Sequence, residues 1–242
     1  MICPKYAMVA AAGKGTRMRP LTDKLPKALV KVAGRTLLDH QLDRLKQAGV
    51  KKAVVNIHHF ADQMQEHLAA RRQNPQIHIS DERELLLETG GGLVMAAKHL
   101  GTKPFFVMNV DTLWQGHNNA LLDLAAKKEQ NPDALAVLLL ARRDNCLGLD
   151  TAGDFHMQGD GQLQRRKDGE TSDYYYAGIQ IFDPELLQGF SVEKFSTNLF
   201  WDKALRQGRL YGMELQGLWM HVGDPQSLLL AERAIKAGTD GQ

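Results

Sequence analysis

Cysteine is scarce in this chain. Cys3 and Cys146 are the only two in 242 residues, and no C-x-x-C pair occurs. A disulfide framework or a zinc knuckle needs more, so the expectation is a reducing compartment, the cytoplasm. Long apolar runs are missing as well. None approaches the ~20 residues that cross a bilayer. The opening Met1-Ile2-Cys3-Pro4-Lys5 runs toward a first strand without the hydrophobic region of a secretory leader. A strong charge of one sign is also lacking. The balance of 30 basic and 28 acidic residues leaves +2, too weak a field to gather nucleic acid or a membrane surface. Repeats, low-complexity tracts and clear linkers are absent. The 43% of apolar residues suffices for a full core. The expectation is one domain over residues 1–242, a monomer or small homo-oligomer whose partners are small molecules.

The most informative stretch is Val9-Ala10-Ala11-Ala12-Gly13-Lys14-Gly15-Thr16-Arg17-Met18-Arg19-Pro20, closed by Pro26-Lys27. An apolar run over 6–12 reads as a buried strand. It breaks into Gly-x-Gly, where backbone N–H groups can approach an anion without a Cβ in the way. Arg17 and Arg19 add forked donors that suit phosphate oxygens. Ala10, Ala11 and Ala12 are small enough for a flat ring to lie against the backbone. Two familiar phosphate loops are excluded. The dinucleotide fingerprint requires a third glycine where Met18 stands, and the G-x-x-x-x-G-K-[ST] string does not occur.

Beyond the loop, strands are expected over 28–32, 52–57, 77–80, 104–108, 134–140, 174–182 and 210–215. Helices are expected over 37–48 (capped by Thr36), 61–72, 92–100, 120–129, 199–207 and 225–237. The alternation implies an α/β fold with a doubly wound, mostly parallel sheet. Its ligands belong outside the carboxyl ends of the strands. The glycine loop, Asp111 and a turn over 88–92 all leave on that side. Residues 142–171, where glycines and charges alternate with short apolar segments, read as a β-hairpin insertion over the cleft. The runs Arg142-Arg143 and Arg165-Arg166-Lys167 read as solvated faces. His58-His59 is set aside as a metal pair, because adjacent side chains point apart.

The whole string G-x-G-T-R-M-R-P-L-T followed by P-K resembles the signature of the sugar-phosphate nucleotidyltransferases, which have a Rossmann-like fold. That resemblance implies that Ala11, Ala12, Gly13, Lys14, Gly15, Thr16 and Arg17 hold a nucleoside triphosphate, and that Lys27 holds a phosphate. Arg17, Lys27 and Asp111 become the catalytic candidates. Asp111, just past the strand Phe105-Phe106-Val107-Met108, is similar to the family's magnesium ligand, although Val110 stands where a glycine is often found. Mg²⁺ is the implied cofactor, with Mn²⁺ as the alternative.

Leu87-Glu88-Thr89-Gly90-Gly91-Gly92 resembles the L-E-T-G-G-G of the short members acting on hexose 1-phosphates. It implies Glu88, Thr89 and Gly90 near the sugar, with Asn109, and Gly91 near the nucleoside; Thr89 is read as a helix cap. Glu82 is a weaker candidate for the base edge. Tyr176-Ala177-Gly178-Ile179 looks like the F-S-G-I segment, which places Gly178 at the sugar. Trp219-Met220-His221-Val222-Gly223-Asp224 looks like W-x-D-V-G-T, but His221 stands at the second metal-ligand aspartate. Imidazole suits Mn²⁺ better than Mg²⁺. Three arrangements stay open: His221 as ligand, Asp224 in its place, or Asp111 alone with water and phosphate oxygens. No E-K-P lysine is present. The resemblance points to the muramate-type branch with UTP, and guanylyltransferases of mannose or heptose 1-phosphate are the alternative. A nucleotide-sugar-binding protein without catalysis is the reading from another class.

Overall fold

The computed structural model describes residues 3–239; Met1 and Ile2, read above as the lead into the first strand, and residues 240–242 lie outside them. In chain order, β1 (Tyr6–Ala10) is followed by three 3-10 turns (Thr16–Met18, Leu21–Asp23, Lys27–Leu29), then β2 (Lys31–Val32) and β3 (Arg35–Thr36). Next come α1 (Leu37–Gln47), β4 (Lys52–Ile57), α2 (Ala61–Ala70), β5 (Gln76–Asp81), α3 (Glu88–Ala97), β6 (Phe105–Asn109), β7 (Thr112–Gln115), α4 (Ala120–Gln130) and β8 (Ala136–Arg142). The remainder is β9 (Cys146–Leu147), β10 (Phe155–Met157), β11 (Leu163–Arg165), β12 (Tyr174–Phe182), α5 (Asn198–Arg206), β13 (Leu210–Glu214), β14 (Leu218–His221) and α6 (Pro225–Thr239).

The parallel strands β6, β1, β4 and β5 lie side by side. Their residues alternate between two helical layers. Ala7, Val9, Ala53 and Val55 enter one apolar cluster, which also holds Leu38 and Leu42 of α1; Met8 and Val54 enter the other, with Leu93 of α3 and Phe200 of α5. That period of two with both faces apolar is what a doubly covered parallel sheet requires. β12 then runs antiparallel between β6 and β8, and β13 pairs parallel with β8.

Two features of β12 shape the cleft. Its second half, Ile179 to Phe182, pairs with β6, whereas its first residue, Tyr174, pairs with β10 of the β10–β11 hairpin. Between them the register against β8 shifts, and Gly178 takes a left-handed φ of 80°. A Cβ there would come within 2.4 Å of Thr112 Cγ2, so the bulge needs glycine. β12 therefore splits the sheet into a fork with β6 on one tine and β10 on the other.

Several expectations are corrected. β1 ends at Ala10 because the Ala11 N–H leaves the ladder and donates to Asn56 Oδ1 at 2.7 Å. Residues 27–29 turn as 3-10 helix and take up the first two positions of the strand expected over 28–32, of which only Lys31–Val32 pairs as a strand. α3 begins at Glu88, so the three glycines lie inside a helix instead of in a turn before it, and Leu87 occupies the N-cap. Thr89 is thus no cap: its hydroxyl accepts the Thr197 N–H at 3.0 Å. The small sheet of β7, β14 and β9 was not anticipated. Thr36 does cap α1, accepting the Asp39 N–H at 3.0 Å. Among the described residues no helix is long and apolar enough to cross a membrane.

Candidate active site

The glycine loop is built as one unit with the lysine that follows it. Gly15 has φ 63°, and a Cβ on it would meet Lys27 Cβ at 2.9 Å and Thr22 Cγ2 at 3.1 Å. Thr22 Oγ1 donates to the Gly15 carbonyl at 2.8 Å. Met18, where a dinucleotide fold would have glycine, is fully buried and anchors the turn. The lysine stem packs on the loop, so the loop and the Lys27 ammonium hold a fixed relation. Gly13 lies on the open side, with nothing within 4 Å of where its Cβ would stand.

A buried relay ties three strand ends together. Asn56, at the end of β4, accepts from the Ala11 N–H and donates through Nδ2 to Glu82 Oε1 at 2.7 Å. Glu82 Oε2 accepts the Leu87 N–H at 3.3 Å, immediately before α3. Burial pushes the Glu82 carboxyl above its ordinary pKa, and the bonds from Asn56 and Leu87 offset only part of that. Both oxygens of Glu82 are used inside the protein and the residue is 2% exposed. Glu82, expected at a base edge, is not among the residues lining the cavity described below, and its hydrogen bonds tie Asn56 to the start of α3.

Lys27 Nζ donates to Asp111 Oδ2 at 2.6 Å. His221 Nε2 lies 3.5 Å from the same oxygen. The small sheet makes this meeting possible, since β14 pairs with β7 in a register that sets His221 opposite Thr112, and the Val222 N–H donates to the Asp111 carbonyl at 2.8 Å. Burial alone would raise the Asp111 pKa. The Lys27 charge and the His221 contact outweigh it and hold the carboxyl well below the usual carboxylate range. His221 Nδ1 is buried and has no hydrogen-bond partner. Asp224, the alternative to His221, makes a local contact: its Oδ1 accepts the Ser227 N–H at 2.8 Å at the start of α6.

A cavity of about 410 Å³ joins these parts. Ala11, Ala12, Gly13, Gly15, Thr16, Arg17, Lys27, Glu88, Thr89, Asn109 and Asp111 all face it, and so do Asn56, Leu86 and Gly223. Lys14 is exposed outside its lining. Gly90 and Gly91 do not line it either. A Cβ on Gly91 would lie 1.8 Å from the Glu193 carbonyl oxygen and one on Gly90 2.4 Å from the Phe195 ring, so both let α3 pack on the segment before α5. Gly178 supports the bulge in β12 and His221 sits behind Asp111; neither is in the lining.

A second cavity of about 270 Å³ shares the wall of Ala10, Thr89 and Asn109 and fills the fork of β12. Arg165, read from the sequence as part of a solvated face, lines it with Asp154, Tyr176, Asn198 and Trp201. Nothing in the local sequence signals these residues, because the fork brings them together from separate elements.

The donor set suits a hard cation carried in with phosphates. Mg²⁺ characteristically takes one or two carboxylates and completes its shell with water and substrate phosphate oxygens, and Asp111 offers one carboxylate on the cavity wall. His221, in contact with Asp111 through Nε2 and outside the cavity lining, keeps only Nδ1 without a hydrogen-bond partner, and an imidazole nitrogen suits Mn²⁺ better than Mg²⁺.

A glycine loop, a lysine–aspartate pair and an arginine at the carboxyl ends of parallel strands define an α/β protein equipped to hold a polyphosphate. The chain belongs to the nucleotidyl transferase family, whose model matches residues 6–238. It is 46% identical to N-acetylmuramate alpha-1-phosphate uridylyltransferase of Caulobacter vibrioides, over 96% of this chain and 97% of that protein. It is 34% identical to the protein of the same name from Neisseria meningitidis serogroup B, over 90% and 92%. Its fold is similar to that of UDP-glucose pyrophosphorylase complexed with UDP-glucose, with a TM-score of 0.79 at 14% identity, over 98% of this chain and 100% of that one.

Proposed function

We propose that this chain is a sugar-1-phosphate nucleotidyltransferase that joins N-acetylmuramate 1-phosphate to UTP and releases pyrophosphate, acting in the cytoplasm in the recycling of cell-wall sugars. The 46% identity to a uridylyltransferase over nearly both full lengths supports the substrates. The observation that carries the chemistry is the Lys27–Asp111 pair at 2.6 Å, held against the glycine loop.

An oxygen of the sugar phosphate attacks the α-phosphorus of the nucleotide in line. A phosphorus–oxygen bond forms, the bond to the β-phosphate bridge breaks, and pyrophosphate leaves with the electron pair. The attacking monoester is already anionic, so no protein nucleophile is needed and catalysis is positioning and charge neutralisation. Lys27 sets the two reacting phosphates against each other. Arg17 and the backbone from Gly13 to Thr16 take the charge that grows on pyrophosphate. Thr89 and Asn109, on the wall common to both cavities, orient the sugar. Asp111, with His221 beside it, would hold Mg²⁺ or Mn²⁺, which when bound supplies neutralisation of the phosphate charge.

The test is pyrophosphate release from UTP, GTP, CTP, ATP and dTTP against N-acetylmuramate, mannose, heptose and N-acetylglucosamine 1-phosphates. Release with UTP and the muramate ester is expected. Release with GTP and mannose or heptose phosphate keeps the reaction and overturns the substrates. Nucleotide binding without release in Mg²⁺ or Mn²⁺ overturns the enzyme reading.

A further inference from the structure

We propose that the cavity in the fork of β12 receives the acidic arm of the sugar, and that Arg165 is the residue that reads its carboxylate. The inference rests on the proposed sugar-phosphate reaction and narrows its substrate to sugar 1-phosphates that carry a carboxylate. The reacting phosphate lies in the larger cavity, at Lys27. A sugar attached to it extends across the common wall of Ala10, Thr89 and Asn109 into the smaller one. N-acetylmuramate differs from N-acetylglucosamine by a lactyl ether that ends in a carboxylate, so some group must pay for desolvating that charge.

Among the described residues, Arg165 is the one cationic side chain lining the smaller cavity. Its guanidinium is held from two sides. Nη2 donates to Asp202 Oδ1 at 2.8 Å, and the group lies 5.3 Å from the Phe155 ring centroid. Its Nε is buried with no hydrogen-bond partner, a donor left over in a group otherwise fixed. A guanidinium oriented in this way and short of a partner is a ready receptor for a carboxylate. The opposing charge is Asp154, whose Oδ2 already accepts the Tyr176 N–H at 2.8 Å. Burial pushes that carboxyl upward, only partly offset by this bond and the nearby arginines. The rest of the lining suits a sugar: Ser196 and Asn198 offer polar groups, and Trp201 and Tyr176 pack edge to face at 4.7 Å.

The test compares kcat/KM for N-acetylmuramate 1-phosphate and N-acetylglucosamine 1-phosphate, both with UTP, in the wild type, Arg165→Leu and Arg165→Lys, with thermal melts to report folding. The wild type is expected to favour the muramate ester. Arg165→Leu should lower its kcat/KM on the order of ten- to hundredfold, mainly through KM, the loss expected for one charge-assisted hydrogen bond. The preference between the two sugars should shrink accordingly, and Arg165→Lys should recover part of it. Should both leucine and lysine variants leave the preference intact, or lower both sugars by one factor, the role of Arg165 is wrong while the functional reading stands. A wild type that uses the glucosamine ester and rejects the muramate ester overturns the acidic-arm inference and keeps the transferase. No release with either sugar overturns both.

Discussion

At the scale of single residues, the candidate site concentrates on one oxygen, Asp111 Oδ2, which Lys27 and His221 approach together. Lys27→Ala removes the ammonium proposed to set the phosphates in place. Turnover in a pyrophosphate-release assay should fall about 10²- to 10³-fold, the loss seen when one preorganised charge contact at a transition state is removed. A loss within a factor of a few would take Lys27 out of the reaction. His221→Asp restores a second carboxylate beside Asp111. Activity with Mg²⁺ should then rise relative to activity with Mn²⁺, because the new donor is oxygen. An unchanged ratio of the two activities would mean that His221 does not touch the cation. The place of Arg17 and Asp111 on the cavity was legible in the sequence because one directly follows the glycine loop and the other follows a strand, whereas Lys27 was legible only through the resemblance carried by Pro26-Lys27. The contact of His221 with Asp111 was not legible as geometry: it depends on the pairing of β14 with β7 across a long sequence separation.

At the scale of elements, glycines with different surroundings separate packing from binding. Gly91→Ala drives a Cβ to within 1.8 Å of a backbone carbonyl, which no side-chain rotation can relieve. It should cost about 1–3 kcal/mol in urea denaturation and displace the start of α3, which carries Thr89. Gly13→Ala meets nothing within 4 Å. It should unfold at nearly the wild-type urea concentration and raise the KM for the nucleotide. Equal stability of the two variants would refute this division. A second element-level contact is sensitive to pH. Asp39 of α1 receives Arg71 Nη1 at 3.1 Å and His67 Nε2 at 3.0 Å from the end of α2. Burial raises the Asp39 carboxyl, but Thr36, His67 and Arg71 together lower it below its ordinary value. The sign follows: a depressed carboxylate contributes above its unfolded pKa of about 4 and loses its contribution as pH falls through the lower folded value. Asp39→Ala should therefore be about 2 kcal/mol less stable at pH 7, and the deficit should shrink as pH falls below about 4. A deficit constant with pH would assign the loss to packing.

The same scale shows what the sequence carried. β4 and β12 occupy the residues expected of them, because runs such as Ala53-Val54-Val55 and Tyr174-Tyr175-Tyr176 favour the extended chain. α3 begins earlier than expected because three glycines argue locally against a helix, and only the approach of Glu193, Phe195 and Glu82 explains why they are tolerated there.

At the scale of the whole molecule, the sheet does two jobs with one strand. β12 closes the parallel region against β6 and carries the β10–β11 hairpin on its other end, so both cavities open along the same line of strand ends. The alternation of strands and helices made the parallel region legible. The fork was not, because it needs both the register shift in β12 and the placement of a distant hairpin. The larger cavity is walled by β1, β4 and β6 ends, by the start of α3 and by the loop before α6, so a nucleotide bound there touches parts that must all be folded together. Binding to the native state alone stabilises it by mass action: about 2.7 kcal/mol at a ligand concentration of 100 times Kd. For a chain of this size each kcal/mol moves Tm by roughly 2–4 °C. UTP with Mg²⁺ at that concentration should therefore raise the melting temperature by about 5–10 °C. GTP at the same concentration should give a smaller shift, and Gly13→Ala should require more UTP for the same one. A GTP shift as large as that of UTP would move the choice of base away from uridine, and no shift with either nucleotide would mean that the larger cavity is not the nucleotide site.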